Sequence, residues 1–158
     1  MAVNSLNTQI SYEDALLVNS LCLFDGEPFG ILDEGRIRSA LGNQFQPYEC
    51  NELAFASVYK SLILNHGFMN GNKRTAVIVL YILSLMIGNN LKQNDENLAA
   101  LTYKIASEGG SQICVEDISN LVFSKQSTDT TPIRNFNLKE VVVSFINNHE
   151  WLMKELGK

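Results

Sequence analysis

The fold is decided by residues 66–88, which read HGFMNGNKRTAVIVLYILSLMIG. A glycine-containing loop leads directly into a run, from about Asn72 to Ile87, that is apolar almost all round after its first turn. Gly88 follows this run, and glycine is the residue that most often terminates a helix. A helix that is apolar on every side in a soluble protein belongs at the centre of a bundle. We therefore expect this run to form the central helix of the domain.

Apolar spacing and capping residues on either side of this run predict further helices. They are expected at five other places: one capped by Ser11, one starting near Asp33, one from about Tyr48 to Leu64, one from Asn94 or Asp95 to Gly109, and one from about Val115 to Phe123. Each segment has apolar residues at helical spacing or a polar residue suited to cap its first turn. Because no segment reads clearly as a strand ladder, the predicted fold is all-α, a bundle of about six helices.

The residues after this bundle are predicted to form a separate element. Residues 124–136 are polar and contain Pro132, so they are interpreted as a linker between a domain at 1–123 and a C-terminal helix at 137–158. Asn137 and the glutamate three residues later have the spacing of a capping box. The helix carries one apolar stripe, which must be buried somewhere. The alternatives are packing on the bundle as a lid, contact with a partner chain, and self-association.

Composition limits the classes of function. The chain has 158 residues and a formal net charge of −5, which disfavours general nucleic-acid binding because phosphate backbones need a basic face. Its longest apolar run is shorter than the roughly 20 residues that span a bilayer. The first basic side chain is Arg36, so a secretory signal is not expected either. We expect a cytoplasmic protein whose three cysteines, Cys22, Cys50 and Cys114, are buried free thiols.

The junction between the loop and the central helix predicts an anion site. The first backbone N–H groups of a helix have no partner inside it, and the helix dipole adds partial positive charge there. Lys73 and Arg74 lie in that first turn, where two cations oppose the dipole unless an anion lies between them. His66, a residue type suited to proton transfer, precedes the helix. A P-loop is not supported, because Asn72 and Arg74 replace the second glycine and the Ser or Thr of GxxxxGK[ST].

Two patterns in the sequence resemble a known family. Residues 66–76 match HxFx(D/N)GNKRTA, and the pattern GxxDxGRxxxAL is matched upstream by Gly30, Asp33, Gly35, Arg36, Ala40 and Leu41. Both resemble the Doc branch of the Fic/Doc (Fido) family, the death-on-curing toxins, over roughly residues 12–123. The resemblance implies the helical Fic/Doc bundle, in which the motif lies where a loop enters a helix.

The resemblance also implies roles for the motif residues. His66 would be the general base that takes a proton from a target hydroxyl. Gly71 and Asn72 would form an anion hole, with Asn72 also bonding phosphate oxygens. Lys73 and Arg74 would bind phosphates and complete the catalytic set with His66.

Two further motif positions have implied supporting roles. Phe68 would anchor the loop in the core. Asn70 occupies the position that helps to place Mg²⁺, where Doc-like proteins often have aspartate. An amide oxygen can ligate Mg²⁺ but carries no charge, so this residue leaves catalytic activity open.

The expected reaction follows from the branch of the family. Fic proteins that transfer AMP carry GNGRxxR, whereas here Lys73 replaces the second glycine and Val77 replaces the second arginine. A lysine where glycine lets phosphate approach the backbone would crowd an α-phosphate. Doc-type proteins are similar in both respects and transfer the γ-phosphoryl group of ATP to a threonine of elongation factor Tu, which stops translation. AMP or other nucleotidyl transfer, and a binding module without catalysis, are the alternatives.

The resemblance implies partners as well as substrates. Self-inhibited Fic proteins share (S/T)xxxE(G/N), and no Glu-Gly or Glu-Asn pair here has Ser or Thr at the required spacing. A separate antitoxin chain is therefore expected, besides the target protein and the nucleotide. Of the remaining polar residues, Asp33 is expected to cap a helix and His149 to lie on a solvated helix face. Arg36 has two open interpretations, a salt bridge within the bundle or a nucleotide contact.

Overall fold

The computed structural model describes residues 9–124 and 136–158 of the chain. These ranges contain eight α-helices: α1 Tyr12–Cys22, α2 Glu34–Gly42, α3 Asn51–Asn65, α4 Asn72–Met86, α5 Asp95–Ala106, α6 Val115–Val122, α7 Leu138–Asn148 and α8 Glu150–Leu156. Short 3-10 turns lie at Asn43–Phe45 and Gly110–Gln112. Over the same ranges no strand is present, only two isolated bridges, Ile31 with Phe68 and Leu91 with Phe123. The predicted all-α fold is confirmed.

The central position of α4 follows from its composition. Residues 75–80 have no solvent-accessible surface, and most of the remaining helix is also buried. Helices α3 and α1 pack most extensively against α4, and α7 and α8 cover another side. The helix ends at Met86, one residue earlier than expected, and Gly88 follows with a left-handed φ of 67°. An all-round apolar sequence thus produces the helix that the others enclose, as predicted.

The predicted helix caps are confirmed for α1, α2 and α5. The Ser11 hydroxyl accepts from the Asp14 backbone N–H at 3.0 Å, and the Asp14 carboxylate accepts from Ser11 N–H in return. Asp33 caps α2, and Asn94 rather than Asp95 caps α5. These four residues contact backbone groups within three positions of themselves, so sequence spacing is enough to find them.

Helix α3 begins three residues later than expected. Tyr48 lies before the helix, and its hydroxyl donates to the Ser57 hydroxyl at 2.9 Å. Cys50 is the N-terminal cap residue and is extended, with φ −150°. The Tyr48 contact reaches across the first turns of α3, so the segment folds back along the helix instead of extending it.

The prediction of a single C-terminal helix is wrong, because the helix is interrupted at His149, which separates α7 from α8. The ring Nδ1 of His149 lies 2.8 Å from an Asp95 carboxylate oxygen, and the ring stacks on Phe145 at 4.1 Å between centroids. His149 is therefore half-buried in a polar and aromatic contact, and the expectation of a solvated histidine is also wrong. The break lets α8 pack against α5 while α7 packs against α1 and α4. Most of the predicted linker lies outside the described residues.

The apolar stripe of this region is buried on the bundle itself. Its buried members are Leu138, Val142, Phe145, Leu152, Met153 and Leu156. The stripe faces α1, α4 and α5 rather than solvent. Of the three alternatives for this segment, packing on the bundle is the one observed.

The prediction of three buried cysteines is correct for one of them. Cys22 is buried in α1, and burial raises the pKa of its thiol. Cys50 and Cys114 are exposed, and each is the residue that precedes a helix, α3 and α6 respectively. No helix within the described ranges has the length and apolarity needed to cross a membrane.

Leu80 tests the role of α4 as the core of the fold. Leu80→Ala should lower the free energy of unfolding by about 2–5 kcal/mol, because it removes a fully buried side chain from a helix with no free side. The measurement is urea unfolding followed by circular dichroism. Leu121→Ala on α6 is the control, since Leu121 is exposed and should change stability far less. Equal effects of the two substitutions would contradict the central position of α4.

Candidate functional site

The loop between α3 and α4 begins at His66. This residue ends α3 in the left-handed region, with φ 51°, and within the described chain it is the one non-glycine residue with positive φ. The loop then runs beside residues 30–33, where Leu32 N–H donates to the Gly67 carbonyl at 2.8 Å and Met69 N–H donates to the Gly30 carbonyl at 2.9 Å. His66 is exposed at the start of this paired segment. The local backbone therefore presents the imidazole at the surface.

The side chain of Asn72 closes the loop from the helix side. Its Oδ1 accepts from Phe68 N–H at 2.9 Å, and its Nδ2 donates to the Phe68 carbonyl at 2.8 Å. The Phe68 ring is buried in the core, as its predicted role as an anchor requires. Asn72 thus uses both of its polar atoms to shape the loop. Its implied contact with phosphate oxygens stays a prediction.

A second amide holds the loop from α1. Asn19 is fully buried, and its Nδ2 donates to the Asn70 carbonyl at 2.8 Å and to the Thr75 hydroxyl at 3.1 Å. The Asn70 side chain donates in turn to the Pro28 carbonyl at 3.1 Å. Gly71 has φ 78°, and a Cβ there would lie 3.1 Å from the Asn19 amide nitrogen. The turn into α4 therefore requires glycine at this position.

The first turn of α4 has no side-chain cap. Its N-cap residue is Gly71, and the first intrahelical bond is donated by Thr75 N–H to the Gly71 carbonyl at 2.8 Å. Helices α3, α6 and α8 likewise have no side-chain cap, whereas α1, α2, α5 and α7 are capped by a serine, aspartate or asparagine side chain. The amides at the start of α4 are thus not satisfied by a capping side chain, which suits them to bind an anion.

Arg74 points into the protein rather than toward solvent. Its guanidinium donates to both Glu27 carboxylate oxygens at 2.9 Å and to the Cys22 carbonyl, and it lies 4.0 Å from the centre of the Phe24 ring. Only 2% of the side chain is exposed, and its Nε–H has no hydrogen-bond partner. Arg74 is therefore a buried cation with one unsatisfied donor. Its implied contact with phosphate stays a prediction, and any such ligand has to share Arg74 with Glu27.

Sequence reasoning did not identify Glu27. The residue lies 47 positions before Arg74, in a loop that the sequence marks only as a helix end. No local pattern distinguishes it from the other acidic residues. Hydrogen bonds from Arg74 hold the pKa of the Glu27 carboxyl below its ordinary value. The Glu27 carboxylate is therefore charged at neutral pH.

The predicted residues meet at one cavity of about 160 Å³. It is lined by Glu27, His66, Met69, Asn70, Gly71, Asn72, Lys73, Arg74, Leu156, Gly157 and Lys158. Six of the seven predicted site residues are in this set, and Phe68 lies beneath it in the core. Lys73 is half-buried, with its Nζ 5.4 Å from the centre of the Tyr103 ring. The geometry brings an imidazole, two predicted cations and uncapped helix amides to one place.

Arg36 and Asp33 lie outside this cavity. Arg36 forms an exposed ion pair with Asp33 at 3.5 Å. Both residues border a separate shallow depression on α2 and α3. Of the two interpretations left open for Arg36, a salt bridge is the one seen.

The donor set is poor for a metal ion. Among the residues that the structure describes, no three His, Cys, Asp or Glu side chains lie close enough to hold a metal. Asn70 contributes one amide oxygen, and Glu27 is engaged by Arg74. Mg²⁺ usually binds one or two carboxylates together with substrate phosphates. A Mg²⁺ ion at this cavity would therefore depend mainly on phosphate oxygens and water.

The chain matches no protein-family model, no curated protein and no solved structure.

The Glu27–Arg74 pair is tested by removing its negative charge. Glu27→Gln should lower the free energy of unfolding by about 1–3 kcal/mol at pH 7, because a buried guanidinium loses its charged acceptor. Glu34→Gln is the matched control, since it disrupts an exposed Glu–Arg pair, with Arg38, and should have a far smaller effect. Unfolding in urea measures both.

The same comparison at low pH checks the sign of the effect. The folded-state pKa of Glu27 is lowered from 4.5, so its contribution is complete above that value and is lost as the pH falls through the lowered value. The difference between wild type and Glu27→Gln should therefore shrink in acid. A difference that is unchanged between pH 7 and pH 3 would contradict the pairing.

Proposed function

We propose that this protein is a nucleotide-dependent phosphotransferase of the Doc type, which transfers the γ-phosphoryl group of ATP to a protein hydroxyl. The observation that carries the proposal is the convergence of uncapped α4 amides, Lys73 and exposed His66 on one cavity. The proposed target is a threonine of a translation factor such as elongation factor Tu, so that transfer arrests translation. A separate antitoxin chain would control the activity.

The amides and cations of the cavity support phosphate binding. Lys73 lines it together with the first residues of α4, in a chain whose net charge is −5. Local positive charge in an acidic protein favours an anionic ligand. The cavity volume of about 160 Å³ is below the roughly 300–1,000 Å³ of typical small-molecule sites. The phosphates would therefore enter the cavity, while the nucleoside lies outside it.

His66 supports proton transfer at the same place. It is one of two histidines in the chain, and it lines the cavity with its side chain exposed. In the proposed step the imidazole takes the proton of the target hydroxyl as that oxygen attacks the γ-phosphorus. The bond between the γ-phosphorus and the bridging oxygen breaks, and ADP leaves. Positioning and charge neutralisation, rather than a covalent enzyme intermediate, supply the catalysis.

The surface beside His66 supports a protein as the acceptor. Phe29, Leu32 and Met69 are each close to half exposed or more. Leu32 and Met69 belong to the two segments that pair at the loop, directly next to the histidine. Exposed apolar side chains grouped at one place favour contact with another protein.

A binding module without catalysis is the second candidate. Two observations favour it: Asn70 offers an amide where a carboxylate would hold Mg²⁺ more strongly, and Glu27 engages Arg74. Nucleotidyl transfer is less favoured because of Lys73 in place of glycine. An assay with ATP labelled on either the γ- or the α-phosphate distinguishes the three candidates, because each candidate transfers a different label or none.

His66→Asn tests the proposed base. Asparagine tolerates the left-handed backbone better than most residues, so this change removes the imidazole without straining the loop. We expect phosphoryl transfer to fall by about 100-fold or more, the typical contribution of a general base, while ATP affinity is retained. The assay uses cell lysate with ATP labelled on either the γ- or the α-phosphate.

Each outcome of this assay is distinct. Label transferred from γ only, and lost in His66→Asn, supports the kinase. Label transferred from the α-phosphate would establish nucleotidyl transfer instead. ATP binding without transfer of either label would leave the binding module.

Asn70→Asp tests the metal dependence of the proposed reaction. A carboxylate should lower the Mg²⁺ concentration needed for half-maximal transfer, because Mg²⁺ prefers charged oxygen ligands. The substitution also removes the donor to the Pro28 carbonyl, so thermal unfolding is measured alongside. An unchanged Mg²⁺ dependence in a stably folded variant would contradict the proposal that Asn70 helps to bind Mg²⁺.

A further inference from the structure

The turn that follows α8 reaches the proposed phosphate site. Leu156, Gly157 and Lys158 line the same cavity as His66 and Lys73. They lie eighty or more positions after the end of the motif, and the motif pattern says nothing about them. The break at His149 is what turns α8 toward this part of the bundle.

The turn is seated on the residues around Arg74. A Cβ at Gly157 would lie 2.3 Å from the Phe24 ring, so only glycine can approach that ring as closely as it does. The same ring contacts the Arg74 guanidinium, at 4.0 Å from its centre. Leu156 is buried beside them. The turn therefore has a defined position against the site.

The end of α8 is compatible with an anion nearby. A helix C-terminus normally presents unsatisfied carbonyls and partial negative charge. Here the Glu155 carbonyl accepts from the Tyr103 hydroxyl and from Lys158 N–H, and the Lys154 carbonyl accepts from Gly157 N–H. These bonds satisfy two of the carbonyls in the last turn of α8, those of Lys154 and Glu155.

Lys158 adds a cation whose ion pair is exposed to solvent. Among the described residues lining the cavity, Lys73, Arg74 and Lys158 have cationic side chains, and Glu27, engaged by Arg74, is the one residue with a carboxylate side chain. Lys158 pairs with Glu155 at 2.7 Å, but its side chain is 71% exposed. An exposed pair of this kind is weak and exchanges readily for another anion.

We propose that Lys158 is a further phosphate-binding residue, which acts with Lys73 and the α4 amides on the polyphosphate chain of the nucleotide. This inference rests on the proposed function, since it names a residue of that same site. It predicts a preference for tri- and diphosphates over monophosphates. A longer phosphate chain can contact Lys158 as well as Lys73, whereas a single phosphate would not contact both.

Calorimetric titration of the full chain with ATP, AMP and inorganic tripolyphosphate tests the inference. Lys158→Ala should weaken ATP and tripolyphosphate binding by roughly two- to fivefold, the range for an exposed ion pair, and should affect AMP less. Lys158→Arg should restore the affinity. Lys154→Ala is the matched control, an exposed lysine of the same helix that does not line the cavity, and it should change nothing.

Salt dependence separates a direct contact from a structural effect. The loss in Lys158→Ala should diminish at 1 M salt, where the Debye length is about 3 Å, whereas a displaced helix would weaken binding at any ionic strength. Unchanged ATP affinity in Lys158→Ala, with a clear loss in Lys73→Ala, would overturn this inference and leave the proposed function intact. Failure of wild type to bind either ATP or tripolyphosphate would overturn both.

Discussion

A buried guanidinium at the start of the central helix is the constraint on which the site depends. Arg74 is almost fully enclosed, and a charge in that position is stable only if acceptors are brought to it. The Cys22 carbonyl at the end of α1 and the Glu27 carboxylate in the loop after it meet this requirement. The same loop places the Phe24 ring over the cation. That ring is in turn the surface on which Gly157 rests. One buried charge thus connects α1, the loop after it, α4 and the end of α8.

Neutral amides, rather than charges, hold the loop that carries His66. The side chains of Asn19 and Asn72 bond to loop backbone groups from two helices, and Asn70 bonds to the neighbouring segment. Because these supports carry no charge, the charged side chains at the cavity are Lys73, Lys158 and the Glu27–Arg74 pair, beside the α4 amides. A loop fixed by its own hydrogen bonds would need little reorganisation in the proposed reaction, and such preorganisation is what electrostatic stabilisation of a developing charge requires.

Features that depend on neighbouring residues were predictable from the sequence, and features that depend on distant partners were not. The central helix and the caps at Ser11 and Asp33 follow from local spacing. The break at His149 depends on Asp95, and the position of Arg74 depends on Glu27, about fifty residues away in each case. No pattern within a helix or a loop records such a pairing. The motif therefore predicted which residues meet at the cavity, but not which of them points inward.

The three cations at the cavity differ in burial, and this difference affects how easily each can bind an anion. Arg74 presents a planar fork that matches a carboxylate in two contacts, which suits arginine to a buried structural pair. Lys73 and Lys158 are point charges on flexible stems, and both retain exposed surface. A phosphate can attract a lysine without dismantling a buried pair, whereas engaging Arg74 requires competition with Glu27. The lysines therefore have the lower energetic cost of binding a ligand, while the arginine has the larger effect on stability.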